Sequence, residues 1–267
     1  MNNALRPLAV IAALLGLAPA AQSAEEAFEA GLRTGWRMES GNQMAAVQLD
    51  LAEGWKTYWR APGDNGIPPS FDWSGSENVK SVAFHWPRPH VYDVGGLTTI
   101  GYKNLFVLPM EVTPQDPSKP IRLRAEVDLG VCSDICIPAS FRFDTLLPMP
   151  GEGDTAIRAA LRQRPSTAKE AGLSAIACDI VPKGKGLLIT ARLRLPSTGG
   201  AETVVFEPGV SDAWVSEAEV SRDGDWLTAT AEMIGPSGGG MMLQRAGITV
   251  TVLGKHRAVE IIGCPAS

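Results

Sequence analysis

The chain has 267 residues, of which 45% are hydrophobic and 20% charged, with a net charge of −5. That is enough apolar material for two cored domains, and an acidic chain without a basic stripe excludes nucleic acid as an expected partner. The 28 glycines and 20 prolines punctuate short apolar runs, the pattern of a turn-rich all-β protein.

In chain order, Arg6 and the apolar run Leu8–Leu17 read as the n- and h-regions of a signal peptide, and small residues follow at 18–24. The run is too short to span a bilayer, and cleavage is expected after Ser23 or Ala24. Residues 1–24 are therefore a leader, and the mature protein is expected in the periplasm, not membrane-spanning. In that oxidising compartment the cysteines are read first as disulfide chemistry.

Met44–Leu51 alternates as a strand. Trp55, Tyr58 and Trp59 then stand close together ahead of a Pro/Gly loop. Aromatic packing under that loop is the plain reading, and a sugar-binding platform the functional one. Ser70–Trp73 and Val79–Trp86 read as strands, with Pro87 and Pro89 ending the second. His90–Thr99 reads as an apolar loop, and an exposed apolar loop invites a partner. Tyr102–Val112 reads as one strand.

Ile121–Leu129 and Phe141–Leu147 alternate on either side of Cys132 and Cys136. On a straight strand residues four apart lie roughly 13 Å apart, whereas a disulfide needs about 5.5–6 Å between Cα atoms. If the two pair, the chain must turn back, and a hairpin with loop Ser133-Asp134-Ile135 would do it. Pro138 then favours a short or edge second strand. A disulfide closing so small a loop removes little chain entropy, which suits exchange better than stabilisation. Spacing alone leaves a small structural disulfide or two buried thiols open. Two thiolates are half a zinc set, and His85 and His90 lack ligand-like spacing to them. No metal and no other cofactor is expected.

Residues 148–153 form a linker, and Asp154 is placed to cap a short helix over Ala156–Arg162. From Ile176 the β pattern returns in runs at 187–195, 203–206, 213–220, 226–233 and 248–253. This predicts a second sandwich over 175–267, after a first over 25–150 and a helical linker over 151–174. Cys178 and Cys264 fall in its first and last strands, which can be neighbours. Their bridge would constrain a long loop, worth about 4–5 kcal/mol in the entropy model, and is read as structural. The histidines His85, His90 and His256 have no triad-like companions, and Met241-Met242 is a weak Cu(I) candidate against a packing role.

The run from Glu53 to Asp64, Gly66–Pro69 and Val131–Pro138 together resemble the periplasmic N-terminal domain of the DsbD/ScsB family of thiol–disulfide reductases. The resemblance covers about residues 30–148, and the close spacing of the cysteine pair is of the ScsB type. It implies two immunoglobulin-like β-sandwiches, with Cys136 forming the mixed disulfide and Cys132 resolving it. It also implies a cap loop over the sulfurs, placed by position at Tyr92, Asp93, Val94, Gly95, Gly96 and Leu97. The implied partners are thioredoxin-fold periplasmic proteins and a separate membrane electron donor. The implied settings are cytochrome c biogenesis or copper tolerance. The rival reading is a non-catalytic periplasmic module, for copper handling or envelope assembly, with both disulfides structural.

Overall fold

The computed structural model of the protein describes residues 27–63, 66–238 and 241–266. The expected leader at 1–24 lies outside them. Ten strands build the first half: β1 (Phe28–Arg37), β2 (Gln43–Leu51), β3 (Lys56–Gly63), β4 (Ser70–Asp72), β5 (Val79–Phe84), β6 (His90–Val94), β7 (Leu97–Lys103), β8 (Leu105–Pro114), β9 (Arg122–Cys132) and β10 (Cys136–Leu146). They form two sheets, ordered β1-β2-β8-β5 and β10-β9-β3-β7-β6, with β4 paired to β9. Every pairing here is antiparallel.

The strands form because their apolar residues recur with period two. Along β9, Leu123, Ala125, Val127, Leu129 and Val131 all turn into the core. Between the sheets they meet Leu49, Leu108, Met110 and Trp59, which are at most 1% exposed. Each fully buried side chain of this size stabilises by roughly 1.5–3 kcal/mol, so β3 and β9 are rigid supports for what they carry on their outer face.

After the linker, α1 (Thr155–Leu161) starts at Asp154, whose carboxylate accepts from Ile157 N at 2.9 Å. The second half contains β11 (Ser166–Thr167), β12 (Ala175–Lys183), β13 (Gly186–Arg194), β14 (Thr203–Glu207), β15 (Trp214–Val215), β16 (Glu219–Asp223), β17 (Trp226–Ile234), β18 (Thr249–Leu253) and β19 (Ala258–Ile262). Its sheets run β11-β19-β18-β14 and β12-β13-β17-β15, with β16 also on β17. The fold is thus all-β with two immunoglobulin-like sandwiches, and α1 is the only α-helix among the described residues.

The two halves touch. Val205, Leu253 and Ala258 pack with the first core. Arg60, at the end of the aromatic run, donates to Glu207 at 2.8 and 2.9 Å and to Glu260 at 2.5 Å, with its guanidinium 4.6 Å from the Trp59 ring centroid. Thr98 Oγ1 donates to Glu217 at 2.7 Å.

Several sequence expectations are corrected. Residues 28–37, for which no strand is predicted from the sequence, form edge strand β1. His90–Thr99 is not a loop but most of hairpin β6–β7, turned by Gly95 (φ 65°) and Gly96 (φ 82°). Two successive residues with positive φ make the hairpin turn that glycine best supports. Tyr102–Val112 is two strands, broken at Asn104 (φ 58°) where the chain passes from one sheet to the other. Residues 213–220 divide into β15 and the start of β16. Cys264 follows the last strand instead of lying in it.

Candidate redox site

Cys132 and Cys136 end β9 and begin β10, directly paired across the hairpin with Cα atoms 4.1 Å apart and bridged by a disulfide. Ser133 N donates to Ile135 O at 3.1 Å and closes the three-residue loop. As Pro138 suggested, β10 is an edge strand, though at 11 residues it is not short. The two sulfurs differ in access: Cys132 is 1% exposed, whereas Cys136 is solvent-exposed. Ile135 beside it is 57% exposed.

Register assigns the surroundings. Cys132 stands opposite Lys56 on β3, and Lys56 opposite Lys103 on β7. Directly paired residues share a face, so sulfurs and lysines lie on one side of the sheet. One pleat further along β3, Tyr58 takes the same side, while Thr57 and Trp59 point into the core. Tyr58 Oη lies 2.7 Å from Cys132 Sγ and 3.1 Å from Cys136 Sγ. A disulfide sulfur carries no hydrogen, so the phenol is the donor in this state. Burial raises the Tyr58 pKa, which keeps the phenol protonated.

The ring reaches the sulfurs because residue 130 is glycine. A Cβ there would stand 3.0 Å from the Tyr58 ring and 2.9 Å from Ile67 Cβ. Gly66 and Ile67 lie over this part of the sheet, Gly66 against the Tyr58 ring. Thr57 Oγ1 donates to Gly130 O at 2.9 Å and ties β3 to β9. The aromatic triple is therefore split. Trp55 and Trp59 pack, at 6% and 0% exposure, while Tyr58 serves the disulfide.

The expected cap residues Tyr92, Asp93, Val94, Gly95, Gly96 and Leu97 make up the end of hairpin β6–β7. Tyr92 pairs with Thr99 and so shares the sulfur face, three strands across from Cys132. Its ring packs under the Lys103 ammonium at 4.4 Å and beside His90. Asp93 accepts from Gly96 N at 3.1 Å, which sets the turn.

The second disulfide joins Cys178 on β12 to Cys264, across 86 residues. Cys178 and Cys264 are 0% and 1% exposed. The bridge links the two sheets of the second sandwich, and Cys178 N donates to Pro265 O at 2.8 Å. No group of three or more metal-binding side chains occurs among the described residues. Met241 packs on the second core and Met242 is 93% exposed. His85 lies beside Glu111 and His256 against Gly199.

A buried sulfur, an exposed sulfur and a phenol donor at a sandwich edge define the class: an immunoglobulin-like domain carrying a hairpin disulfide with one solvent-exposed sulfur. The comparisons take this one step further. Residues 21–148 match the family of the thiol:disulfide interchange protein DsbD, N-terminal. The whole fold is similar to the crystal structure of the N-terminal periplasmic domain of ScsB from Proteus mirabilis. That similarity has a TM-score of 0.68 and 21% identity, over 90% of this chain and 94% of that one. No curated protein matches the chain. The family match and the structural likeness together support a DsbD/ScsB N-terminal-like domain over the first sandwich.

Proposed function

We propose that the chain is a periplasmic thiol–disulfide relay. It takes reducing equivalents from a separate membrane reductase and passes them through Cys132 and Cys136 to thioredoxin-fold or other periplasmic partners. The observation that carries this reading is the unequal exposure of two bonded sulfurs held on an edge hairpin. Reduced Cys136, as thiolate, attacks the partner's disulfide. The Cys136–partner bond forms and the partner's second sulfur leaves as thiolate. Cys132, as thiolate, then attacks Cys136 Sγ, which closes the internal disulfide and releases the partner as a dithiol. Two electrons pass to the partner and the chain ends oxidised. Tyr58 Oη, within reach of both sulfurs, donates to whichever carries charge.

Hairpin β6–β7 is the lid of this reading. Tyr92 shares the sulfur face, and Gly95 and Gly96 give the turn backbone freedom. Deleting 94–97 is expected to speed alkylation of reduced Cys136 with the circular dichroism unchanged. Equal rates would remove the lid from the mechanism. For both sandwiches to act as one unit, the second holds the first through Arg60 and stays redox-inert through Cys178–Cys264.

The test is a pair of trapping variants. Cys132→Ala leaves the exposed nucleophile without its resolving partner and is expected to accumulate a mixed disulfide with a thioredoxin-fold protein. Cys136→Ala leaves only the covered sulfur and is expected to accumulate none. Equal trapping, or none by either variant, contradicts the relay.

A further inference from the structure

Cys136, Cys132, Lys56 and Lys103 stand opposite one another on successive strands β10, β9, β3 and β7. The strands are about 4.8 Å apart, so both ammonium groups follow the disulfide in one row on its own face. Like charges directly opposite in a sheet repel, and neither ammonium has an ion-pair partner among the described residues. The lysine ion pairs among the described residues are those of Lys119 and Lys183. Beyond Lys103 the positive character continues. A cleft of about 180 Å³ between the β7–β8 turn and α1 is lined by Arg88, His90 and Lys103 and by no carboxylate. Burial, then Arg88 and Lys103, lower the His90 pKa, as expected where cations gather without counter-charge.

Among the described residues no carboxylate forms an ion pair with either ammonium. Asp134 is in the cysteine loop, and Asp128 is two pleats down β9 and accepts from the Ser140 hydroxyl. Asp93 is held in its own turn, and Glu53 precedes β3. The sulfur row is thus positive toward β3 and β7, with the exposed Cys136 at its end.

We infer that the Lys56–Lys103 row is a docking surface for an acidic polypeptide, the carboxylate-flanked disulfide segment of the partner. The inference rests on the relay reading and names the chemistry of its partner. The segment lies along the row, its carboxylates on the two ammonium groups, and presents its disulfide to Cys136. Exchange then runs as above, one disulfide formed for each one reduced.

The experiment mixes the reduced full chain with two cyclic Cys-x-x-Cys disulfide peptides, one flanked by glutamates and the other by lysines. Glutathione disulfide serves as a small anionic third oxidant. At low salt the glutamate peptide is expected to react roughly three- to tenfold faster than the lysine peptide, as local steering allows. About 0.5 M salt should close that gap. Lys56→Gln with Lys103→Gln should abolish the preference, and Lys56→Glu with Lys103→Glu should reverse it, with the Gln pair guarding against misfolding of the Glu pair. Equal rates with both peptides in the parent overturn the docking surface and leave the relay standing. A lysine effect larger for glutathione disulfide than for the glutamate peptide overturns the polypeptide as occupant. Reaction with none of the oxidants, while both thiols still alkylate, overturns the relay and this inference with it.

Discussion

Tyr58→Phe removes one oxygen from the redox site and keeps the ring that packs over Gly130. Its hydroxyl lies 2.7 Å from one sulfur and 3.1 Å from the other. On reduction it faces a thiolate, and a hydrogen bond to a charged group contributes about 1.5–3 kcal/mol. At 1.36 kcal/mol per pKa unit, losing the bond should raise the pKa of the attacking thiol by roughly 1–2 units. The sign follows from which form is favoured: the phenol donor stabilises the thiolate, so its loss favours the thiol. The assay is the rate of Cys136 alkylation against pH, in the reduced protein with Cys132→Ala present. The Phe variant should show the same limiting rate at high pH and a profile displaced upward. Global stability should fall by no more than about 1 kcal/mol, because a disulfide sulfur is a weak acceptor. An unchanged profile would refute the reasoning and return Tyr58 to packing.

Gly130→Ala sets a Cβ 2.9 Å from Ile67 Cβ and 3.0 Å from the Tyr58 ring. It should cost about 1–3 kcal/mol in urea melts and slow exchange, while a normal exchange rate would mean the ring position does not matter. Replacing Cys178 and Cys264 together with Ala should cost roughly 4–5 kcal/mol in the entropy model and leave the alkylation rate of reduced Cys136 unchanged; a changed rate would couple the second bridge to the site. Burial alone would raise the Glu202 pKa, but Arg222 and Thr198 outweigh it and hold the carboxyl below its usual range. Its contribution is therefore present above the unfolded glutamate pKa of about 4.3 and is lost as pH falls through the depressed folded value. Glu202→Gln should destabilise by about 2–4 kcal/mol near neutrality by leaving Arg222 unpaired, with a difference from the parent that shrinks in acid; a pH-independent difference would contradict this.

The cysteine hairpin was legible because geometry leaves so few ways to bridge residues four apart, and alternation on both sides named the strands. Period two could also have parted Tyr58 from Trp59. That Tyr58 meets a sulfur 74 residues away, however, depends on the β3–β9 register, which no local pattern states. The lysine row was hidden for the same reason, since Lys56 and Lys103 are neighbours only through pairing. Hairpin β6–β7 was missed despite a signal, the Gly95-Gly96 pair of a two-residue turn, because His90–Thr99 follows two prolines and lacks clean alternation of apolar and polar residues. The break at Asn104 carried only the mild hint that Asn tolerates positive φ.

The central claim is that one disulfide exchanges and the other does not. Equilibrating the protein in glutathione buffers and reading both pairs by mass tests it directly. The account predicts that Cys132–Cys136 is reduced within the range of thiol–disulfide exchange proteins, about −120 to −270 mV, while Cys178–Cys264 stays oxidised to below about −300 mV. Reduction of Cys178–Cys264 first, or resistance of both pairs below that limit, would contradict it.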